Sequence, residues 1–355
     1  MKHITLSKKW IFLWVNVLLT VLAGLCLFGL LRVCTALPTM NAANSWAGES
    51  EMAFAQLACY LPADQTVEEN DVYSFRQTLK TKLTEASMEA PEKGSLFTDA
   101  YSGSATLTVS TERGNAQVKV TGVGGDYFRF HPLKLRSGSY LMETDLMKDR
   151  VLLDEELAWK LFGGMDLTGL SVTINGADYY VAGVVAREKD PYSSIAYADG
   201  AAMFMSYEAL KSLDESVGIA CYEIVMPNPI TAFAKNMVSE NFPLNNGVVV
   251  ENSSRYSLGN LLKVIGDFGK RSMGQNGIIY PYWENAVRLT EDYAALYLVL
   301  TVVFLLLPVI SAAVLVYRLC KTGITKSTHL VKSGIEAGIE RRREEKWQKA
   351  AEKRE

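Results

Sequence analysis

Residues 150–185 read RVLLDEELAWKLFGGMDLTGLSVTINGADYYVAGVV, and three elements can be read from them in order. Val151-Leu152-Leu153 is a short apolar run with strand character. Asp154 follows, a residue whose carboxylate accepts from the free N–H groups of a helix start, and Gly163-Gly164 closes the helix after eight intervening residues. Val172-Thr173-Ile174 and Tyr179-Tyr180-Val181 then flank Asn175-Gly176. Asn-Gly tolerates the two positive φ angles of a type I′ turn, so the pair is a hairpin. A strand, a short capped helix and a hairpin within 36 residues do not follow the regular alternation of a doubly wound sheet, and they point to an α+β domain.

The flanking sequence extends that pattern. Ala105–Val109 and Ala116–Val120 alternate across a turn at Glu112–Asn115, while Ala202–Met205, Tyr222–Met226 and Gly247–Val250 have strand character. Val72–Ala86 and Thr231–Glu240 carry helical spacing, and Pro91-Glu92-Lys93-Gly94 reads as a turn. Upstream, Trp46, Met52, Phe54, Leu57 and Tyr60 form a ragged helical stripe, so Leu37–Leu61 is expected to be a helix. Pro281 is expected to open another.

Two runs account for the surplus apolar residues. Trp10–Leu31 and Ala294–Tyr317 hold no charge over 22 and 24 residues, each long enough to cross a hydrocarbon layer of about 30 Å. The first is longer than the h-region of a signal peptide and lacks a nearby small-x-small cleavage site, so it is read as an uncleaved span. Three lysines precede it, and residues 318–355 hold eleven Lys/Arg against six Asp/Glu. Basic ends mark the cytoplasmic side, which places residues 33–317, with a formal charge of −12, largely outside the cell. About 12 residues before the second run are expected to stand above the bilayer as a stalk. The expected architecture is an α+β extracytoplasmic domain on two transmembrane helices with stalk extensions. Five cysteines, three of them external, form no disulfide framework and are read as free buried thiols, with one Cys59–Cys221 bridge left open. That usage and the basic ends suit the plasma membrane of a bacterium, a Gram-positive one.

The composition excludes several activities. A near-neutral net charge of −3 does not suit a nucleic-acid binder. Of three histidines, only His131 lies outside the tails, and its setting beside Tyr127-Phe128-Arg129-Phe130 reads as packing rather than as a general base. No metal-ligand spacing occurs, so no catalytic, cofactor or metal residues are assigned. The glycine runs Gly122–Gly125 and Gly266–Gly269 lack the spacing of a phosphate loop and read as turns.

The order Tyr127-Phe128, Gly138, Val151-x-Leu153, Ala158, Leu161-Phe162-Gly163, Gly169, Asn175-Gly176 and Val181-x-Gly183-Val184 resembles the MacB-like periplasmic core domain of FtsX-type ABC transporter permeases. The resemblance covers about 60 residues closely, and the span–ectodomain–span layout extends it. It implies a folding signature rather than an active site: Ala158, Leu161 and Phe162 packing a helix on the sheet, and Gly163, Gly169 and Gly183 where side chains are not tolerated. It implies mechanical work, in which ATP hydrolysed on a separate ABC ATPase moves an external head that handles a peptide, lipid or envelope protein. Family permeases have four spans and this chain shows two, which resembles a half-permease paired with a second permease chain. The resulting division is 1–9 cytoplasmic, 10–31 transmembrane, 32–61 stalk helix, 62–280 core domain, 281–293 stalk helix, 294–317 transmembrane and 318–355 basic tail. Val331, Ile335 and Ile339 fall on one helical face of that tail as a contact for the ATPase, with a membrane-lipid contact as the alternative. A stand-alone membrane-anchored receptor or scaffold is the second reading, and a carboxylate-based ectoenzyme a weaker third.

Overall fold

The structure is a computed structural model that describes residues 8–48, 52–63, 67–88, 94–197, 202–271, 274–275 and 277–352. In chain order the elements are α1 (Lys8–Cys34), α2 (Ala42–Ala47), β1 (Phe54–Tyr60), α3 (Glu69–Glu85), β2 (Thr98–Thr111), β3 (Gly114–Gly125), α4 (Tyr127–Phe130), β4 (Leu135–Gly138), β5 (Arg150–Asp154), α5 (Glu155–Phe162), β6 (Ser171–Ile174) and β7 (Ala177–Val185). They continue with α6 (Pro191–Ala196), β8 (Ala202–Ser206), α7 (Tyr207–Leu213), β9 (Cys221–Pro227), α8 (Phe233–Asn241), β10 (Val248–Glu251), α9 (Leu258–Gly266), β11 (Gly274–Gln275), β12 (Ile278–Ile279) and α10 (Tyr282–Glu352). The chain divides into two compact units, residues 30–296 and residues 1–29 with 297–355.

In the larger unit, ten of the described strands form one mixed sheet in the order β10-β1-β9-β2-β3-β8-β5-β7-β4, with β6 pairing β2 and β7. The pairings β3·β8 and β5·β7 are parallel and the others antiparallel. One face is covered by α3, α5, α7 and α8 through Phe75, Leu79, Leu157, Leu161, Leu210 and Val238. Against the other lie Ala42 and Ala43 of α2, Tyr127 and Phe130 of α4, and Tyr280 and Trp283. The fold is α+β, as read from residues 150–185. Asp154 accepts from Leu157 N at 2.7 Å and Gly163 ends α5 at φ 74°, while Asn175 and Gly176 take φ 50° and 84° in the β6–β7 turn.

The expected stalk helix through residues 32–61 is not one helix. α1 stops at Cys34, a 3-10 turn occupies Pro38–Asn41, α2 covers only Ala42–Ala47, and Phe54–Tyr60 is a strand near one end of the sheet order. The cause is burial on both faces. Leu57 and Cys59 enter one core and Ala58 and Tyr60 the other, so the strand shows no alternation and cannot be told from a helix by periodicity. Gln56, 1% exposed, completes the replacement: its side chain bonds Thr39 O at 2.8 Å and accepts from Ala42 N at 3.2 Å. The same two-sided strand bears on the cysteines. Cys59 and Cys221 lie on adjacent strands but enter opposite cores, and all five cysteines are free.

The expected stalk at residues 281–293 is helical but does not stand free. Glu284, Ala286, Val287 and Thr290 are buried within the larger unit, and α7, α9 and β4 are elements that periodicity did not separate. The Pro91-Glu92-Lys93-Gly94 turn lies outside the described residues apart from Gly94.

In the smaller unit, α1 and α10 supply two helices long and apolar enough to cross a membrane. Ala23 and Thr301 are buried there, and a Cβ on Gly29 would stand 2.8 Å from the Tyr297 ring, the close approach that small residues permit between helices in lipid. The two polar side chains within the first run bond back along the helix, Asn16 to Phe12 O and Thr20 to Asn16 O, each at 2.8 Å, which satisfies them without water.

Asp154 also accepts from Ala202 N at 2.9 Å, tying α5 to β8. Asp154→Ala removes a helix cap and orphans a strand N–H. A loss of about 1–3 kcal/mol is expected from these two effects, read as a lower unfolding temperature of the detergent-solubilised chain, whereas Asp154→Asn should retain part of it.

Candidate functional site

The first turns of α10 bring together the densest buried charge in the larger unit. Glu284, Arg288 and Glu291 recur at helical spacing, and each meets a partner. Arg255, 3% exposed, pairs with Glu284, itself 2% exposed, and reaches Glu291 at 3.4 Å. Arg271 pairs with Glu291 and with Asp292 at 2.8 Å, and Arg288 pairs with Glu284 at 3.3 Å. Tyr60 at the end of β1 donates its hydroxyl to Glu284 at 2.8 Å, and Asn252 accepts from Arg255 Nε at 2.8 Å. Three guanidinium groups face three carboxylates, so the network is formally neutral. Burial works against the Arg255 charge, but Glu284 and Glu291 outweigh it and its pKa is raised. Burial, with Glu284 adding to it, pushes the Tyr60 hydroxyl well up, so it stays a donor.

Beside this network α10 presents Tyr282 and Trp283 to a second polar group. His131, 2% exposed, meets Glu223 of β9 through Nε2 at 2.5 Å. Its ring lies 4.4 Å from that of Tyr127 and 4.6 Å from that of Trp283. Tyr127 Oη, His131 Nδ1 and Trp283 Nε1 are buried and make no hydrogen bond among the described residues. His131 Nε2 thus holds a carboxylate while its ring lies between two aromatic rings. Tyr197 stacks on Tyr282 at 3.9 Å and donates to Glu188 at 3.4 Å. Burial raises the Glu188 pKa, opposed by nearby His131.

Other candidate sites are small or structural. A cleft of about 60 Å3 between Glu69, Tyr101, Glu143, Lys148 and Glu208 holds a few waters rather than a ligand of ordinary size. The glycines of Gly122–Gly125 lie in β3, where Gly122 faces Leu210 and Gly124 lies under the Tyr101 ring; they admit side chains, not phosphate. Among the described residues no group of three or more His, Cys, Asp or Glu is placed to hold a metal.

The residues of the family resemblance gather in one part of the sheet. Val151, Leu153, Ala158, Leu161, Val181 and Val184 are buried together with Phe162 packed against them, whereas Tyr127 and Phe128 belong to the opposite core. Gly138 and Gly183 face each other across β4 and β7, where a Cβ on either would strike the other strand's backbone. Gly169 takes φ 86°. None of these touches the α10 network. In the tail, Ile335 and Ile339 are exposed on α10, and the side chain of Val331 lies outside the described residues. The network was missed in sequence because its members are spread from Tyr60 to Asp292. The available signal was three acids and one arginine, Glu284, Arg288, Glu291 and Asp292, in the helical turns just before an uncharged run.

The buried pair sets a testable cost. Removing one partner leaves an uncompensated charge, so Glu284→Gln is expected to cost about 3–5 kcal/mol, while the double replacement Arg255→Met with Glu284→Leu recovers most of it; thermal unfolding of the solubilised chain reads both. Glu188 gives a pH signature. A raised folded pKa means its contribution is whole below the unfolded value of about 4.3 and is lost as pH rises through the folded value. The melting temperature of Glu188→Gln should therefore gain on that of the parent as pH rises from acid to neutral, and a constant difference would refute the assignment.

Comparison with known proteins shows what the domain is similar to. Residues 63–229 match the family model described as the MacB-like periplasmic core domain. No curated protein matches the chain. Among solved structures, the periplasmic region of MacB from Actinobacillus actinomycetemcomitans is similar at 15% identity and TM-score 0.42, covering 62% of this chain and 94% of that one. The extracellular domain of the noncanonic ABC-type transporter YknZ from Gram-positive bacteria is similar at 14% identity and TM-score 0.38, covering 56% of this chain and 98% of that one. Tyr60 and the charged residues from Arg255 to Asp292 all fall outside the matched segment, and His131 and Glu223 fall inside it. Residues 63–229 are thus similar to the MacB-like periplasmic core domain, in a sequence that also holds two helices long and apolar enough to cross a membrane.

Proposed function

We propose that this chain is a non-enzymatic membrane subunit of an ABC transporter, whose external domain is worked by ATP hydrolysis on a separate ATPase chain. The observation that carries the reading is the buried charge network that fastens the first turns of α10 to the core-domain unit. Breaking one of these pairs costs several times thermal energy, so displacing α10 along its axis drags Arg255, Arg271 and the end of β1 with it. Tyr127 Oη, His131 Nδ1 and Trp283 Nε1, which bond no atom among the described residues, lie on the adjoining side, where a second packing of these rings would reach other partners. A stiff attachment beside such a cluster suits a part that transmits displacement between two packings.

In this reading the chain lies in the plasma membrane with both ends cytoplasmic, and a second permease chain supplies the remaining spans. The tail with Val331, Ile335 and Ile339 contacts the ATPase, and the head acts on a peptide, lipid or envelope protein. A membrane-anchored receptor with the same head would need neither ATPase nor tail.

Purification of the full-length chain from native membranes in mild detergent, followed by mass spectrometry, separates the two. Stoichiometric recovery of a nucleotide-binding ATPase, lost on deletion of residues 321–355, is expected. Recovery of the chain alone, repeated after crosslinking, would overturn the transporter reading and leave the receptor.

A further inference from the structure

The segment 257–271, SLGNLLKVIGDFGKR, folds as α9 with its following turn, and it is apolar on two sides. Leu261 and Val264 are buried beneath it. On the outer side Leu258, Leu262 and Phe268 are 62, 56 and 70% exposed. Burying one side accounts for the fold, and nothing among the described residues covers the other.

Both ends of the segment are fastened at one level of α10. Just before it, the Tyr256 hydroxyl meets Thr290 Oγ1 at 2.7 Å. At its end, Arg271 pairs with Glu291 and Asp292. Cys34, the last residue of α1, lies close enough to bias the Tyr256 hydroxyl, whose pKa is pushed up to about 12, chiefly by burial. Cys34, which ends α1, and Thr290, four residues before the second apolar run, therefore both lie near Tyr256. From Thr290 to Ala294, where that run starts, the helix rises about 6 Å at 1.5 Å per residue, within the depth to which interfacial helices settle, about 5–10 Å.

Charge agrees with this placement. With Arg271 taken up by Glu291 and Asp292, Lys263 and Lys270 stand against Asp267 alone, a net positive stretch in an ectodomain with a formal charge of −12. Basic residues flanking exposed Leu and Phe are the composition of a helix that rests on anionic lipid.

We propose that α9 and its following turn are a membrane-contact element, with Leu258, Leu262 and Phe268 seated in the outer-leaflet interface and Lys263 and Lys270 facing anionic lipid headgroups. The contact fixes how far the core domain sits from the bilayer. It rests on the reading of residues 294–317 as a membrane span.

The test uses the full chain with Cys34→Ser and Cys320→Ser, spin-labelled at single sites and reconstituted in phosphatidylcholine nanodiscs with and without phosphatidylglycerol. Labels at Leu258→Cys, Leu262→Cys and Phe268→Cys should be relaxed more by oxygen than by a water-soluble nickel chelate, and more so with phosphatidylglycerol. A label at Leu146→Cys, 96% exposed on the ectodomain, should show the reverse. Equal chelate access at the α9 sites and at Leu146 would overturn the proposal, as would low access of both relaxers, which would mean a protein covers the face. A label at Val303→Cys keeps the two readings apart: chelate access there would overturn the span itself, while oxygen access there with chelate access at α9 overturns only the lipid contact.

Discussion

The Arg255–Glu284 pair is the constraint on which the arrangement of the larger unit depends. Both side chains are nearly sealed from water, and neither is tolerable there alone. Their pairing sets the depth at which α10 meets the sheet, because Glu284 also takes the Tyr60 hydroxyl and Arg255 also reaches Glu291. With α10 at that depth, Trp283 and Tyr280 fall into the second core beside Tyr127 and Phe130. The segment from Asn252 to Arg271 is held against the helix at both ends. Chain that a reader of the sequence would count as linker and stalk is thus part of the larger folded unit.

What could be read from the sequence follows the physics of each element. The β6–β7 hairpin was legible because Asn175-Gly176 has few alternatives, and α5 because a cap, an apolar stripe and a glycine stop agree with one another. β1 was not, since Phe54–Tyr60 is apolar towards two cores at once and periodicity says nothing of an element buried on both sides. The apolar runs were legible from length and charge alone. The charge network was not, because pairing between Tyr60, Arg255 and Glu284 is long-range and each residue taken singly looks like solvated surface.

The match over residues 63–229 and the buried network divide the larger unit between them. The matched segment supplies most strands of the sheet, with its glycines placed where β4 and β7 meet too closely for side chains. The flanks supply β1, β10, α9 and the first turns of α10.

The central claim is that nucleotide chemistry on a partner is felt at this attachment. Hydrogen exchange on the purified assembly, with and without ATP, measures it at residues 282–292 and 54–60. The account predicts that ATP alters protection in both segments together, since Glu284 and Tyr60 are bonded. Unchanged protection in both, in an assembly that hydrolyses ATP, would contradict it.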